Sequence, residues 1–169
     1  MKIPARPSVK RSILDILFRT GDSSFEIPLK LVEKMTQERP KVTVGALIFN
    51  NQGEILIGRS HKWHDKYVIP GGHIEAGETT EEAVKREVKE ETNLDVEDVK
   101  FVQMQESIFS EHYYLKKHFI FLDFACKAKN DDVKMNEEFQ DFVWVTPEKA
   151  LGMDTEPFTI SLIQAYLKK

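Results

Sequence analysis

Cysteine is nearly missing from this sequence. Cys126 is the only one in 169 residues, so neither an internal disulfide nor a cysteine-built zinc cage can form. Long apolar runs are missing too. "VGALIF" and "HFIFLDFAC" are the longest, and both fall far short of the roughly 20 residues of a membrane span. There is no excess of positive charge, with 24 Lys and Arg against 28 Asp and Glu and a net charge of −4. Phosphate backbones are met by basic surfaces, so nucleic acid is not the expected partner. The basic start "MKIPARPSVKRS" is followed by no apolar stretch or small-residue cleavage site of an export signal. The chain therefore reads as cytoplasmic and not membrane-bound. No internal repeat or low-complexity tract is visible, which excludes solenoid architectures.

What is present suits one globular domain with a sizeable core: 41% of residues are apolar and 31% charged. Cys126, in "FLDFACKA", reads as a small core residue. Residues 8–19 place Val9, Ile13, Ile16 and Leu17 at helical spacing before Gly21, and a second short helix is expected over 28–37. "KVTVGALIF" and "EILIGRS", joined by "NNQG", predict a hairpin, and "KYVIPGG" a short strand stopped by Pro70 and a glycine turn. A helix follows, with Thr79 as its N-cap, Glu82 completing a capping box and Asn93 as a left-handed end. "VKFVQMQESIF" and "KHFIFLDFACKA" predict long strands around "SEHYYLK", and "DFVWV" another strand. "TPEKAL" and "PFTISLIQAYLKK" predict closing helices. Mixed strands with helices at both ends suggest two helical layers around a mixed sheet.

The densest charge lies in "GGHIEAGETTEEAVKREVKEETNL", residues 71–94. Glu87, Glu90 and Glu91 stand at i, i+3 and i+4, on one helix face. Their mutual repulsion disfavours a helix unless Lys85, Arg86 and Lys89 relieve it, or a hard divalent cation converts it into coordination. Gly72, five residues, Glu78, seven residues and then "REVKEETNL" resembles the Nudix box. That motif reads G-x5-E-x7-R-E-U-x-E-E-x-G-U, with U a bulky aliphatic. Gly72, Glu78, Arg86, Glu87, Glu90 and Glu91 match its fixed positions, and Val88 and Leu94 its aliphatic ones. Asn93 stands where the family has glycine, a position asparagine can fill if the need is a left-handed cap. The context, from "YVIPGG" to "EEFQDFVWVTPEKAL", is similar as well.

The resemblance implies an α/β fold, an α/β/α sandwich around a mixed β-sheet, over residues 41–169, behind a helical N-terminal extension at 1–40. It implies a hydrolase that cleaves a nucleoside diphosphate linked to another moiety, with a small nucleotide or nucleotide sugar as substrate. Glu87, Glu90, Glu91 and the Gly71 carbonyl would hold Mg²⁺ (or Mn²⁺), with Arg86 and Glu78 orienting them. The general base would be Glu90, or Glu138 in preference to its neighbour Glu137. Arg59 is a candidate for a phosphate, and Tyr67 and Tyr113 for the rest of the substrate, near Trp63 and His64. The complete acidic box favours water attack at phosphorus. The alternatives are attack at a sugar carbon with His112 or His118 as base, a nucleotide-binding regulator without catalysis, and an RNA-end hydrolase. Members acting on ADP-ribose tend to carry a proline about fifteen residues after the box, and this chain has none between Leu94 and Pro147. The apolar stripe of the first helix suits packing on its own domain or a homodimer.

Overall fold

The computed structural model describes residues 39–168. The helices expected over 8–19 and 28–37, and hence the N-terminal extension, lie outside the described residues.

Seven strands form one mixed sheet: β1 (Lys41–Phe49), β2 (Ile55–Ser60), β3 (Lys66–Val68), β4 (Gly71–His73), β5 (Val96–Ile108), β6 (His118–Ala128) and β7 (Phe139–Val145). Its main path runs β3-β2-β1-β6-β5, with β4 paired to β1 and β7 to β2. Only β1 and β6 run parallel, from Lys41 opposite Phe119 to Phe49 opposite Lys127. The other pairs are antiparallel. The central strand β1 is buried on both faces, which explains why it reads as a continuous apolar run.

Among the described residues three α-helices cover the sheet: α1 (Thr80–Thr92), α2 (Pro147–Leu151) and α3 (Pro157–Leu167). Val44, Ala46 and Ile48 of β1 pack with Ala83, Val84 and Val88 of α1. Leu47, between them in sequence, joins Ile55 and Ile57 to Ala150 of α2 and Leu162 and Ile163 of α3. Alternate residues of one strand thus feed two cores. Each fully buried aliphatic side chain contributes about 1.5–3 kcal/mol. Cys126 belongs to the first core and is buried. Among the described residues no helix is long and apolar enough to cross a membrane.

Local chemistry sets the limits of α1. The Thr79 side chain accepts from the Glu82 amide, and the Glu82 carboxylate accepts from the Thr79 amide at 2.7 Å, closing the capping box. Asn93 ends the helix at φ 64°, in the left-handed region. One sequence expectation needs correction. Gly71 and Gly72 do not turn; they are the start of β4, with Gly71 opposite Gly45 and Gly72 opposite Val44 on β1. Glycine is required here for closeness. A Cβ at Gly71 would lie 2.1 Å from the Val44 carbonyl oxygen, and one at Gly72 would lie 2.4 Å from the Glu87 carboxyl.

Candidate active site

That close approach presses the acidic face of α1 against β4. The Gly71 amide donates to Glu91 at 2.8 Å, tying the helix to the strand. Glu91 is 5% exposed. Burial first, then the charges of Glu138 and Glu87, push its carboxyl up to about 8. Burial also raises Glu87, against the opposing pull of Arg86.

Arg86 is the hub of the box. Its Nε and Nη2 donate to both oxygens of Glu78, at 3.1 and 2.7 Å. Nη2 also donates to the His73 carbonyl at 2.8 Å, and Nη1 donates to Glu87 at 2.8 Å and Glu90 at 3.4 Å. This bidentate grip holds Glu78 below its ordinary carboxylate range and raises the guanidinium further.

The three glutamates are not equivalent. Glu87 and Glu91 line a cavity of about 210 Å³, whereas Glu90 turns outward with a 59% exposed side chain. The physical reason is helical: adjacent residues stand about 100° apart around the axis, so Glu90 and Glu91 flank Glu87 on opposite sides. Among the described residues, no three acidic or histidine side chains stand together as a formed metal site. The donor set nevertheless fits a hard divalent cation. It consists of oxygens alone, Glu91 is buried and Glu87 half-buried, both with raised pKa, and a positive group, the Arg86 Nη1, already stands between Glu87 and Glu90.

Gly71, Glu87, Glu91, Glu138 and Tyr113 line this cavity together. Glu137 is exposed to solvent, whereas Glu138, the neighbour that the sequence reading preferred, lies on the lining. Tyr113 is raised by burial and by Tyr114 beside it, and its ring lies 4.8 Å from Trp63. Arg59 and Tyr67 are elsewhere. They pair across β2 and β3, with the guanidinium 4.7 Å over the Tyr67 ring and 3.6 Å from Asp141. Tyr67 is part of the core under α3. His112 and His118 do not line the cavity either; the His118 ring hydrogen-bonds the Glu106 carboxylate.

Sequence reading passed over the cavity's floor. Asp123, on β6, is 3% exposed and accepts from Gln105 at 2.7 Å and Gln103 at 3.3 Å. Burial pushes it up to about 6. Glu156, 1% exposed, uses one oxygen to cap α3, accepting from the Phe158 and Thr159 amides at 2.8 and 3.0 Å. Its other oxygen has no hydrogen-bond partner, and burial pushes the group up to about 7. Thr43 Oγ1, also on the lining, is likewise without a partner. Trp63, Phe119, Phe121 and Phe158 wall this end. The available signal for Asp123 was a lone acid inside an apolar strand; Glu156 preceded Pro157 at a helix start.

The NUDIX domain signature matches residues 39–166. The nucleoside triphosphatase NudI of Escherichia coli O81 (strain ED1a) is 36% identical over 98 residues, 53% of this chain and 67% of that protein. The MutT protein of Methanosarcina mazei Go1 is 28% identical with a TM-score of 0.63, over 78% of this chain and 96% of that one. The NUDIX domain of Shewanella oneidensis NrtR, solved with ADP ribose, shares the fold at 15% identity with a TM-score of 0.66, over 85% of this chain and 98% of that one. The sandwich around a mixed sheet, the Arg86-centred box and the domain match agree, and the chain belongs to the NUDIX family of hydrolases.

Proposed function

We propose that this protein is a divalent-metal-dependent pyrophosphohydrolase of a small nucleotide, with water attacking phosphorus. The observation that carries the reading is that one cavity joins the acidic face of α1 to a deep, aromatic-walled end with buried acceptors. A polyphosphate reaches the first region while its base or sugar enters the second. The likeness to a nucleoside triphosphatase over 98 residues supports the same substrate class.

In this reading Glu87, Glu90, Glu91 and the Gly71 carbonyl hold Mg²⁺ or Mn²⁺. When bound, the cation neutralises phosphate charge and acidifies water. Arg86 and Glu78 keep Glu87 and Glu90 in place. Glu138 takes a proton from the attacking water, whose oxygen forms the new bond to phosphorus. The bridging P–O bond breaks, and its electron pair leaves on the departing phosphate oxygen. At the far end, the unpartnered oxygens of Glu156 and Thr43 accept from donors on the base or sugar.

A panel of nucleoside triphosphates, diphosphate sugars and dinucleotides, assayed with Mg²⁺ or Mn²⁺ and products weighed by mass spectrometry, tests the activity. Hydrolysis in ¹⁸O-water is expected to put the label into a phosphate product. Label found only on a released sugar sinks the phosphorus assignment.

A further inference from the structure

The cavity wall holds a cation outside the box. Lys62 lies on the one-turn helix His61–Trp63 between β2 and β3, and its Nζ pairs with the Glu138 carboxylate. Among the described residues it is the only lysine or arginine on the lining. The same lining carries the carboxyl groups of Glu87, Glu91, Asp123, Glu138 and Glu156. An entering phosphate chain adds more negative charge to this space. Arg86 has little to offer it, because its donors are committed to Glu78, Glu87, Glu90 and the His73 carbonyl. Lys62 has three donors on a freely rotating ammonium, and its ion pair uses only part of that capacity.

The pair is built to exchange. Both side chains are 38% exposed, and an ion pair so open to water contributes little to stability. The backbone on each side is fixed. The Lys62 carbonyl accepts from the Tyr114 amide at 3.0 Å, and Trp63 packs on Tyr113. The Glu138 amide donates to the Asn136 side chain, and the Asn136 amide donates to the Glu91 carbonyl at 2.9 Å. Only two flexible side chains have to move, and both line the same cavity as Glu87 and Glu91.

We propose that Lys62 is the phosphate-contacting residue of this site, and that its pair with Glu138 is the resting state which an incoming phosphate exchanges. The phosphate takes the ammonium and Glu138 is released toward the attacking water. Substrate binding thereby frees the base. This rests on the pyrophosphohydrolase reading above.

The experiment uses the full chain, with inorganic pyrophosphate and Mg²⁺ as the binding probe by calorimetry, beside kinetics on a nucleoside triphosphate. Lys62→Gln is expected to weaken pyrophosphate binding and raise KM by about tenfold or more, with Lys62→Arg keeping most of both. Glu138→Gln is expected to do the reverse for binding, tightening pyrophosphate by roughly threefold while kcat falls, because the competitor for the ammonium is gone. That tightening should vanish in the Lys62→Gln background. Thermal melts verify that each variant is folded, and Lys85→Gln, on the outer face of α1, serves as a control. Wild-type pyrophosphate affinity in folded Lys62→Gln overturns the proposal, as does tightening that persists in the double variant. If no nucleotide is turned over but Lys62→Gln alone loses pyrophosphate, the hydrolase reading fails and the Lys62 assignment stands.

Discussion

The site has two sets of carboxylates, one on and around the acidic face of α1 and one on the cavity floor, and they are supported in different ways. The box set is organised by a cation: Arg86 reaches Glu78, Glu87 and Glu90 within 3.4 Å. The floor set, Asp123 and Glu156, is served by amides alone, two glutamine side chains and two backbone N–H groups. Glu78 is accordingly held below its usual range, whereas burial outweighs Arg86 at Glu87 and pushes Glu91, which Arg86 does not reach, up to about 8; Asp123 and Glu156 rise to about 6 and 7. Charge support keeps a carboxylate ionised and ready for a cation; neutral support leaves a buried acid free to carry a proton, and so to accept or donate. One end is suited to charge, the other to recognition of neutral polar edges.

The sharpest break in this contrast should come from the box. Glu91→Gln and Glu90→Gln are each expected to lower turnover at least about 10²-fold with the fold intact, since metal charge stabilisation contributes several kcal/mol to such barriers. Wild-type rates at limiting Mg²⁺ in either variant would sink the metal assignment as drawn.

Removing the organising cation comes next. Arg86→Ala leaves Glu78 and Glu87 half-buried without their partner, and is expected to cost about 2 kcal/mol of stability along with at least about tenfold in activity. Arg86→Lys should recover only part, because one ammonium cannot reproduce the two-pronged hold on Glu78. Denaturant unfolding of the three proteins measures the first effect. Equal midpoints would show that the network is not a stabilising one.

At the floor the test is pH. Glu156 and Asp123 have folded pKa values of about 7 and 6, above the roughly 4 of the unfolded chain. Between pH 4 and 7 these two groups therefore bind more protons in the folded state, so their contribution to stability falls as pH rises through that window and levels off above it. Glu156→Gln should flatten the fall, narrowing the difference in melting temperature between pH 5 and pH 8 by roughly 5 °C. An unchanged slope in the variant would place Glu156 outside this behaviour.

The smallest effect is expected where neither set is touched. Asn93→Gly keeps the left-handed cap but loses the Asn93 side-chain bonds to Asp132, and should stay within about 0.5 kcal/mol of wild type. Asn93→Val, with a β-branched side chain at φ 64°, should cost about 1–2 kcal/mol in thermal melts.

The same two sets explain what could be read from sequence. The box was legible because its chemistry is local: one capped helix presents Glu87, Glu90 and Glu91 at fixed spacing, and Arg86 reaches back to Glu78 eight positions away. The strands and the covering helices followed from apolar periodicity bounded by Pro, Gly and Asn, whereas the order of the strands in the sheet did not. The floor was not legible, because Asp123 and Glu156 belong to elements that meet only through the sheet. Lys62 faces Glu138 across a gap in sequence that no pattern spans. Gly71 and Gly72 were misread for a different reason: their missing side chains serve a helix that packs on them, and a lone strand shows no trace of that neighbour. Arg59 looked free to meet an anion, yet the register of β2 with β3 sets it over Tyr67.

The parallel register of β1 with β6 also has a bearing on how the molecule comes into being. It joins residues about 80 positions apart, the kind of contact whose loop-closure cost slows folding, whereas the β5/β6 and β1/β2 hairpins and α1 are local. Gly45 meets Asp123 within that register. The floor of the cavity is therefore expected to form with the slow closure of the two halves, after the acidic helix has already wound. Until the halves close, the chain has the clustered carboxylates of α1 but not the cavity they line. Amide-exchange labelling during refolding would register that interval as early protection in α1 and late protection along β1.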